Sequence, residues 1–480
     1  MPHEAGTKRT ASGETSLSKW QLLAFAIPAI PISAMGLPLV VYLPPFYAEL
    51  GLGTGVVGSL FMFARFWDVF TDPVLGILSD RFETRWGRRR HWIVLSVPIM
   101  MVSVVMIFMP PAGVSATYLI TWLFIMYVGW TLLTISHMSW GAELHGDYHE
   151  RSRVQGAREV ALVGGMVLVL AMPIFIEQMA DVDEGVRNAM RVEAMGWFVL
   201  ILLPITVLIA VLSLPERKTP PPKHVPFREA VQVVLRNMPL RTVLFADLIS
   251  GISGGIVASL FIFLARDVLQ LGSFTSALLL CYFISGLCFV PAVLWLSRKV
   301  GKHRAAAISS LFNTVTVPAI LFIPPGQPLI ALATWVLLGV NMAAGAFLFR
   351  AIMADVADHD EVQTHQQRTG LFYSLLTSTN KVGAAIAIGV SYWALDLIGF
   401  VPLGDNSQWT LDALRAIYVW PVVFITAVVA WLLWRFPLDE KVQRENRRII
   451  EIRAIDVAAA GLSSRTLQPS DPQSSNVSAD

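Results

Sequence analysis

Charge is scarce in this chain of 480 residues: Asp, Glu, Lys and Arg together make up 15%. A soluble domain carries roughly 25%, so the sequence is suited to a different solvent. Cysteine is nearly absent. Cys281 and Cys288 both fall inside one apolar run and form no disulfide framework. The formal charge is only +2, and no basic stretch is interleaved with base-stacking aromatics, so nucleic acid is not an expected partner. No GxxxxGK(S/T) phosphate loop is present, which argues against ATP-driven work. His145 and His149 have helical metal spacing but lack the Glu of HExxH and sit in a polar loop, so zinc is not expected. No catalytic triad, cofactor motif or sizeable soluble domain supports an enzyme or a cofactor. The segment from Met1 to Lys19 is polar, without a short apolar core and cleavage site. The first apolar stretch, from Leu22, is therefore read as a retained span.

What the chain does have is apolar length. Hydrophobic residues make up 55% and mean hydropathy is +0.60. Apolar runs lie near 21–46, 54–79, 92–110, 116–143, 154–176 and 195–214, then near 242–264, 274–297, 305–323, 328–350, 368–395 and 413–435. Most approach or exceed the ~20 residues that an α-helix needs to cross a bilayer. Lipid leaves no water for unpaired backbone groups, so each run is expected to be a helix. The predicted fold is all-α: twelve spans in two halves of six, 20–214 and 241–436. A polar N-terminus, 1–19, precedes them, a linker covers 215–240, and a tail, 437–480, follows. Pro73 and Pro173 are expected to kink their spans. The linker carries Pro220, Pro221 and Pro222, and the Ser- and Pro-rich tail from about Ala458 is expected to be disordered.

Orientation follows from basic loops. Arg81, Arg85 and Arg88 to Arg90 follow span two; Arg151 and Arg153 follow span four; Arg298, Lys299, Lys302 and Arg304 follow span eight. The linker and the tail are basic as well. The opposite loops hold only Arg187, Arg191 and Arg266, with Asp181, Asp183 and Glu184. The positive-inside rule puts both termini and the linker in the cytoplasm of a cell-membrane protein. LSDRFETRWGRRR after span two is echoed by LSRKVGKHR after span eight, as in transporters built from repeated halves.

Charges inside spans are the informative ones, because each costs at least ~2.5–3.5 kcal/mol at a span centre. Span two holds Arg65, Asp68 and Asp72, at i, i+3 and i+7 on one stripe. Asp68 precedes the loop at Asp80 by a helical rise of ~18 Å. Two hard oxygen ligands one turn apart suit Na⁺, and two coupled carboxylates equally suit a proton. Lys381 lies mid-span in span eleven among Thr377, Ser378, Thr379 and Asn380, and needs a carboxylate; span two has one to spare. On span four Thr134, His137 and Trp140 share a stripe that can form a polar pocket, with Glu143 beyond. Arg158 and Glu159 open span five as an end-of-span ion pair or as pocket residues. Gly164/Gly165 and Gly251/Gly254/Gly255 are read as close helix packing.

Three segments resemble one family. DVFTDPVLGILSDRFETRWGRRRHWI has the D-x-x-x-D-P and R-W-G signature of the glycoside–pentoside–hexuronide:cation symporters of the major facilitator superfamily. HMSWGAELHGDYHERSR and ADVADHDEVQTHQQRTGLFYS resemble its span-four end and the loop before span eleven. The likeness covers residues 20–440. It implies cation-coupled symport of a sugar or sugar derivative by a functional monomer in the membrane. It implies a Na⁺ or H⁺ site at Asp68, Asp72 and Thr134, with Lys381 near both sites. Arg158 stands as the pocket arginine, beside His137, Trp140 and Thr377, and Arg65 with Lys381 form a charge network. Two departures stand out: span one has no carboxylate, and His137 replaces an aspartate. Together they suggest a uronate or other organic anion. The lysophospholipid symporters of the same branch keep an amphipathic substrate open as an alternative, and a non-transporting sensor or membrane enzyme is the alternative of another class.

Overall fold

Proline decides the first span. The computed structural model describes residues 16–145, 148–179, 184–215, 227–366 and 368–466. Within it the expected run 21–46 is broken into helices Lys19–Ala26, Ala29–Val41 and Leu43–Tyr47. Pro28, Pro44 and Pro45 lie at the breaks, where a residue without an N–H cannot continue the helical ladder. Ser18 caps the first helix through a reciprocal capping box with Gln21. Span nine likewise tightens from an α-helix, Lys302–Thr316, into a 3₁₀ turn, Val317–Phe322, at Pro318.

Ten helical segments among the described residues are long and apolar enough to cross a membrane. Two further helices, Thr54–Arg81 of 28 residues and Thr369–Leu397 of 29, have the length. These are spans two and eleven, the two that carry Arg65, Asp68, Asp72 and Lys381, and they pack directly against each other. Other elements outrun the sequence reading. Span five runs Tyr148–Met179 and span ten runs Pro328–Thr364, well past the expected 350. The linker contains an amphipathic helix, Phe227–Arg236, whose Val233 is buried. The tail is helical over Glu440–Thr466, which corrects the expectation of disorder from Ala458 as far as residue 466. Polar docking on span ten explains that helix: Arg447 pairs with Asp358 at 3.1 Å, and Arg453 donates to the Val362 carbonyl.

The basic loops fold back onto span ends. Arg88 and Arg89 pair with Glu143 at 2.7 and 2.8 Å, and Arg89 also meets Asp80 at 2.5 Å. In the second half Lys302 pairs with Asp355 on span ten at 2.6 Å. Spans four and ten are equivalent by position, so the sequence echo has a structural counterpart.

Two apolar cores show where the halves meet. One is shared: Tyr42, Phe46 and Phe61 of the first half pack with Leu260, Phe263 and Tyr392 of the second. The other holds Val293, Ile352 and Leu433 of the second half with Val233 of the linker helix, towards the end that carries the basic loops. Polar contacts follow the shared core. Glu49 meets Arg266 in a buried ion pair, and Asn188 donates to Glu49 at 2.8 Å. Tyr42 donates to Ser276 at 3.2 Å, and Trp393 donates to Ser59 at 2.8 Å. The halves are therefore latched together at the end opposite the basic loops.

Candidate functional site: a charge cluster between the halves

Spans two and eleven approach closely because glycine lines their seam. At Gly58 an added Cβ would collide with the Tyr392 side chain. That approach sets span-eleven Lys381 against span-two carboxylates. Lys381 Nζ donates to Asp72 Oδ2 at 2.6 Å and to Asp68 Oδ2 at 2.8 Å. The remaining oxygens, Oδ1 of both aspartates, accept from one hydroxyl, that of Thr131, at 2.9 and 3.1 Å. Asp68 lies at the midpoint of its 28-residue helix, with a side chain only 1% exposed, whereas Asp72 is 28% exposed. The inner carboxylate is thus sealed and the outer one faces open space.

Two carboxylates against one ammonium leave one negative charge. Arg65 does not cancel it by contact. Its guanidinium sits over the Tyr127 ring, 5.6 Å from the centroid, and its buried Nε has no hydrogen-bond partner. A monovalent cation would find hard oxygen ligands here, and arrival of a cation would compete with the Lys381 ammonium for the same atoms.

Several expected site residues lie elsewhere. Thr134 does not reach the carboxylates: its hydroxyl returns to the Trp130 carbonyl one turn back. Thr131, one turn earlier on the same face of span four, holds that position. His137 is fully buried, stacked on Phe25 at 4.5 Å, with Nε2 2.8 Å from the Phe25 carbonyl oxygen. Trp140 donates to the Pro215 carbonyl at 3.3 Å and lies beneath the Arg90 guanidinium. These contacts tie span four to its neighbours, and the buried His137 Nδ1 has no hydrogen-bond partner. Arg158 is 6% exposed and pairs with Glu159 at 3.3 Å. The Thr377 hydroxyl returns to the Tyr373 carbonyl at 3.0 Å.

Sequence reading passed over Asp247 on span seven. It is buried, and its two oxygens accept from Thr379 at 3.0 Å and from Asn380 at 3.3 Å. An acid five residues into an apolar run was the available signal. Asp247 opens on a cavity of about 340 Å³ that is lined mainly by the second half, with Leu37 and Val41 of span one closing it. His137, Trp140, Arg158 and Thr377 are not among its walls.

Ten helical segments long and apolar enough to cross a membrane, and two further long helices joined at a buried charge cluster, define a multi-pass membrane transporter. The chain belongs to the family described as MFS/sugar transport protein, which matches residues 24–440. It is 24% identical to an isoprimeverose transporter of Lactiplantibacillus pentosus, over 82% of this chain and 84% of that one. It is 22% identical to the mouse sodium-dependent lysophosphatidylcholine symporter 1, over 95% and 92%. A glucuronide carrier protein homolog of Escherichia coli is 22% identical over 86% and 93%. Among solved structures, the nucleoside transporter NupG shares the fold with a TM-score of 0.62, at 12% identity, over 87% of this chain and 99% of that one.

Proposed function

We propose that this protein is a twelve-span, cation-coupled symporter of a sugar or sugar derivative, with both termini and the linker in the cytoplasm. The observation that carries the reading is the Asp68–Asp72–Lys381 cluster, which spans the interface between the halves and holds one surplus negative charge. In this state Lys381 occupies both carboxylates. A Na⁺ or proton bound at these carboxylates takes over part of that coordination, frees the ammonium and loosens span two from span eleven; in this state Asp72 is the open side through which it leaves. Because those two spans belong to different halves, cation occupancy and rearrangement of the halves are linked, as alternating access requires.

On this orientation the Glu49–Arg266 latch is extracellular and the structure is closed to the outside. The isoprimeverose and glucuronide relatives support a sugar-type solute, and the sodium-dependent relative supports coupling to Na⁺. An acidic solute keeps support from the glucuronide relative, although His137 and Arg158, on which that expectation rested, do not line the cavity. A second reading, an amphipathic lipid-like solute, draws on the lysophosphatidylcholine relative and on the many aromatic and aliphatic cavity walls, such as Phe261 and Leu338. Uptake of labelled pentoses, glycosides, glucuronides and lysophosphatidylcholine into proteoliposomes tests these readings, with and without imposed Na⁺ or pH gradients. Accumulation of a sugar driven by either gradient is expected. Uptake that only equilibrates, whatever the gradient, rules out symport.

A further inference from the structure

Equivalent basic loops of the two halves spend their charge differently. In the first half Arg88 and Arg89 are buried against Glu143 and Asp80. The loop after span eight, residues 298–304, carries Arg298, Lys299, Lys302 and Arg304 and no acid. Lys302 pairs with Asp355, whereas Arg298, Lys299 and Arg304 are exposed, with no ion pair among the described residues. Arg435, exposed at the end of span twelve, is a fourth such cation. It belongs to the same corner: Ala305 and Ala306 of span nine share a core with Leu433 and Phe436, and the His303 ring lies 6.1 Å from that of Phe436. Lys299 and Arg435 lie over Trp295 and Trp431, 5.1 and 4.9 Å from the ring centroids, and both indoles are exposed, as is Trp434. Helix Lys302–Thr316 of span nine begins inside this patch. Its N-cap, Gly301, offers no side chain, and its first turn holds no acid but Lys302, His303 and Arg304. A helix N-terminus carries about half a positive charge, so cations there are unfavourable until an anion joins them. His303 is an independent sign of that anion. It is 6% exposed and makes no hydrogen bond among the described residues. Its ring turns to the helix start, since a Cβ on Gly301 would lie 3.9 Å from Nδ1. Asp439 also acts on His303, but its Oδ1 accepts from the Val442 N–H at 2.9 Å, capping the tail helix.

We propose that this corner binds the headgroup of an anionic phospholipid of the cytoplasmic leaflet, with its phosphate at the first turn of span nine and its acyl chains along Trp431 and Trp434. The phosphate oxygens accept from the uncapped first-turn N–H groups, from the His303 ring and from the Arg304 and Arg435 guanidinium groups. A lipid fits better than a phosphate from solution, because two of the four cations lie over exposed indoles, and tryptophan settles at headgroup depth. Clustered cations at the cytoplasmic end of a span attract anionic lipid for the same electrostatic reason. The choice of leaflet rests on the orientation proposed above; the headgroup chemistry does not. Bound lipid anchors the second half at the membrane surface, whereas the matching first-half arginines are anchored inside the protein by Glu143 and Asp80.

Native mass spectrometry of the full-length protein, in micelles doped with phosphatidylglycerol or phosphatidylcholine, is the test. Phosphatidylglycerol should be retained about tenfold more tightly than phosphatidylcholine. Arg304→Gln and Arg435→Gln should each weaken its binding about fivefold, the usual worth of one cation at a membrane surface, and the double variant should weaken it further. Arg85→Gln removes the same charge from an exposed position in the first-half loop and should change binding by less than about twofold. All three arginines are exposed, so the variants keep the fold. Inorganic phosphate should not displace the lipid. Equal retention of the two lipids, unchanged affinity in the double variant, or an Arg85→Gln loss as large as that of Arg304→Gln overturns the proposal. Displacement by inorganic phosphate overturns the lipid as the source of the anion. Labelling of Glu83→Cys from outside intact cells overturns the cytoplasmic leaflet. Selective phosphatidylglycerol binding without gradient-driven solute uptake removes symport and leaves this site standing, and uptake without selective binding does the reverse.

Discussion

Lys381 reaches across from one half of the protein to within 2.6 Å of Asp72 in the other. The bond is both a tie between the halves and an occupant of the oxygens that a cation would need. Asp72 is the more open of the two carboxylates, so in this state, closed to the outside, it is the point through which a cation would exchange with the inside. Asp68→Asn and Asp72→Asn should each abolish gradient-driven accumulation while leaving protein in the membrane. Solute exchange is expected to survive in part, because exchange needs no net cation release. Normal ion stimulation in both variants would reduce the pair to a structural role.

Thr131 and Thr134 give a sharper test of the site. The Thr131 hydroxyl bridges both aspartates, whereas that of Thr134 is spent on its own helix. Thr131→Val should remove the one hydrogen bond that its proton shares between the two carboxylates, about 0.5–1.5 kcal/mol, seen as a roughly two- to tenfold loss of apparent cation affinity. Thr134→Val should leave that affinity within about twofold, since its bond is a local one. Equal effects in cation-dependence curves would show that the hydroxyls exchange roles during transport.

The Glu49–Arg266 pair is buried, with both side chains at or below 6% exposure. Breaking a buried pair by removing one partner costs about 3–5 kcal/mol, because the other charge stays uncompensated. Arg266→Gln should therefore favour states in which this end is open and Glu49 is hydrated. A cysteine at cavity residue Val257 should then react faster with an impermeant thiol reagent added outside cells. Labelling no faster than in the parent protein would show that the latch does not control access.

Topology is open to direct measurement at two exposed positions. With Cys281 and Cys288 replaced by Ser, Ala112→Cys should react with impermeant reagent in intact cells. Glu83→Cys, in the basic loop after span two, should react only after permeabilisation. The reverse pattern would invert the orientation.

Sequence alone determined the class, most of the long apolar helices, and that Asp68, Asp72 and Lys381 are charges placed within them. The reason is energetic: lipid forbids unpaired backbone and makes each buried charge costly, so apolar runs and the few charges within them are forced into the open. Partnership is not written there. Thr131 and Thr134 sit one turn apart on the same face, and only the approach of span two selects Thr131. His137 and Arg158 were singled out by type, and helix rotation sets their contacts, Phe25 for one and Glu159 for the other. Asp247 became a candidate only when the closeness of span eleven, permitted by Gly251, brought Thr379 and Asn380 against it. Helical periodicity fixes which residues share a stripe, but what that stripe faces depends on helix rotation and distance, which the packing of the two halves decides.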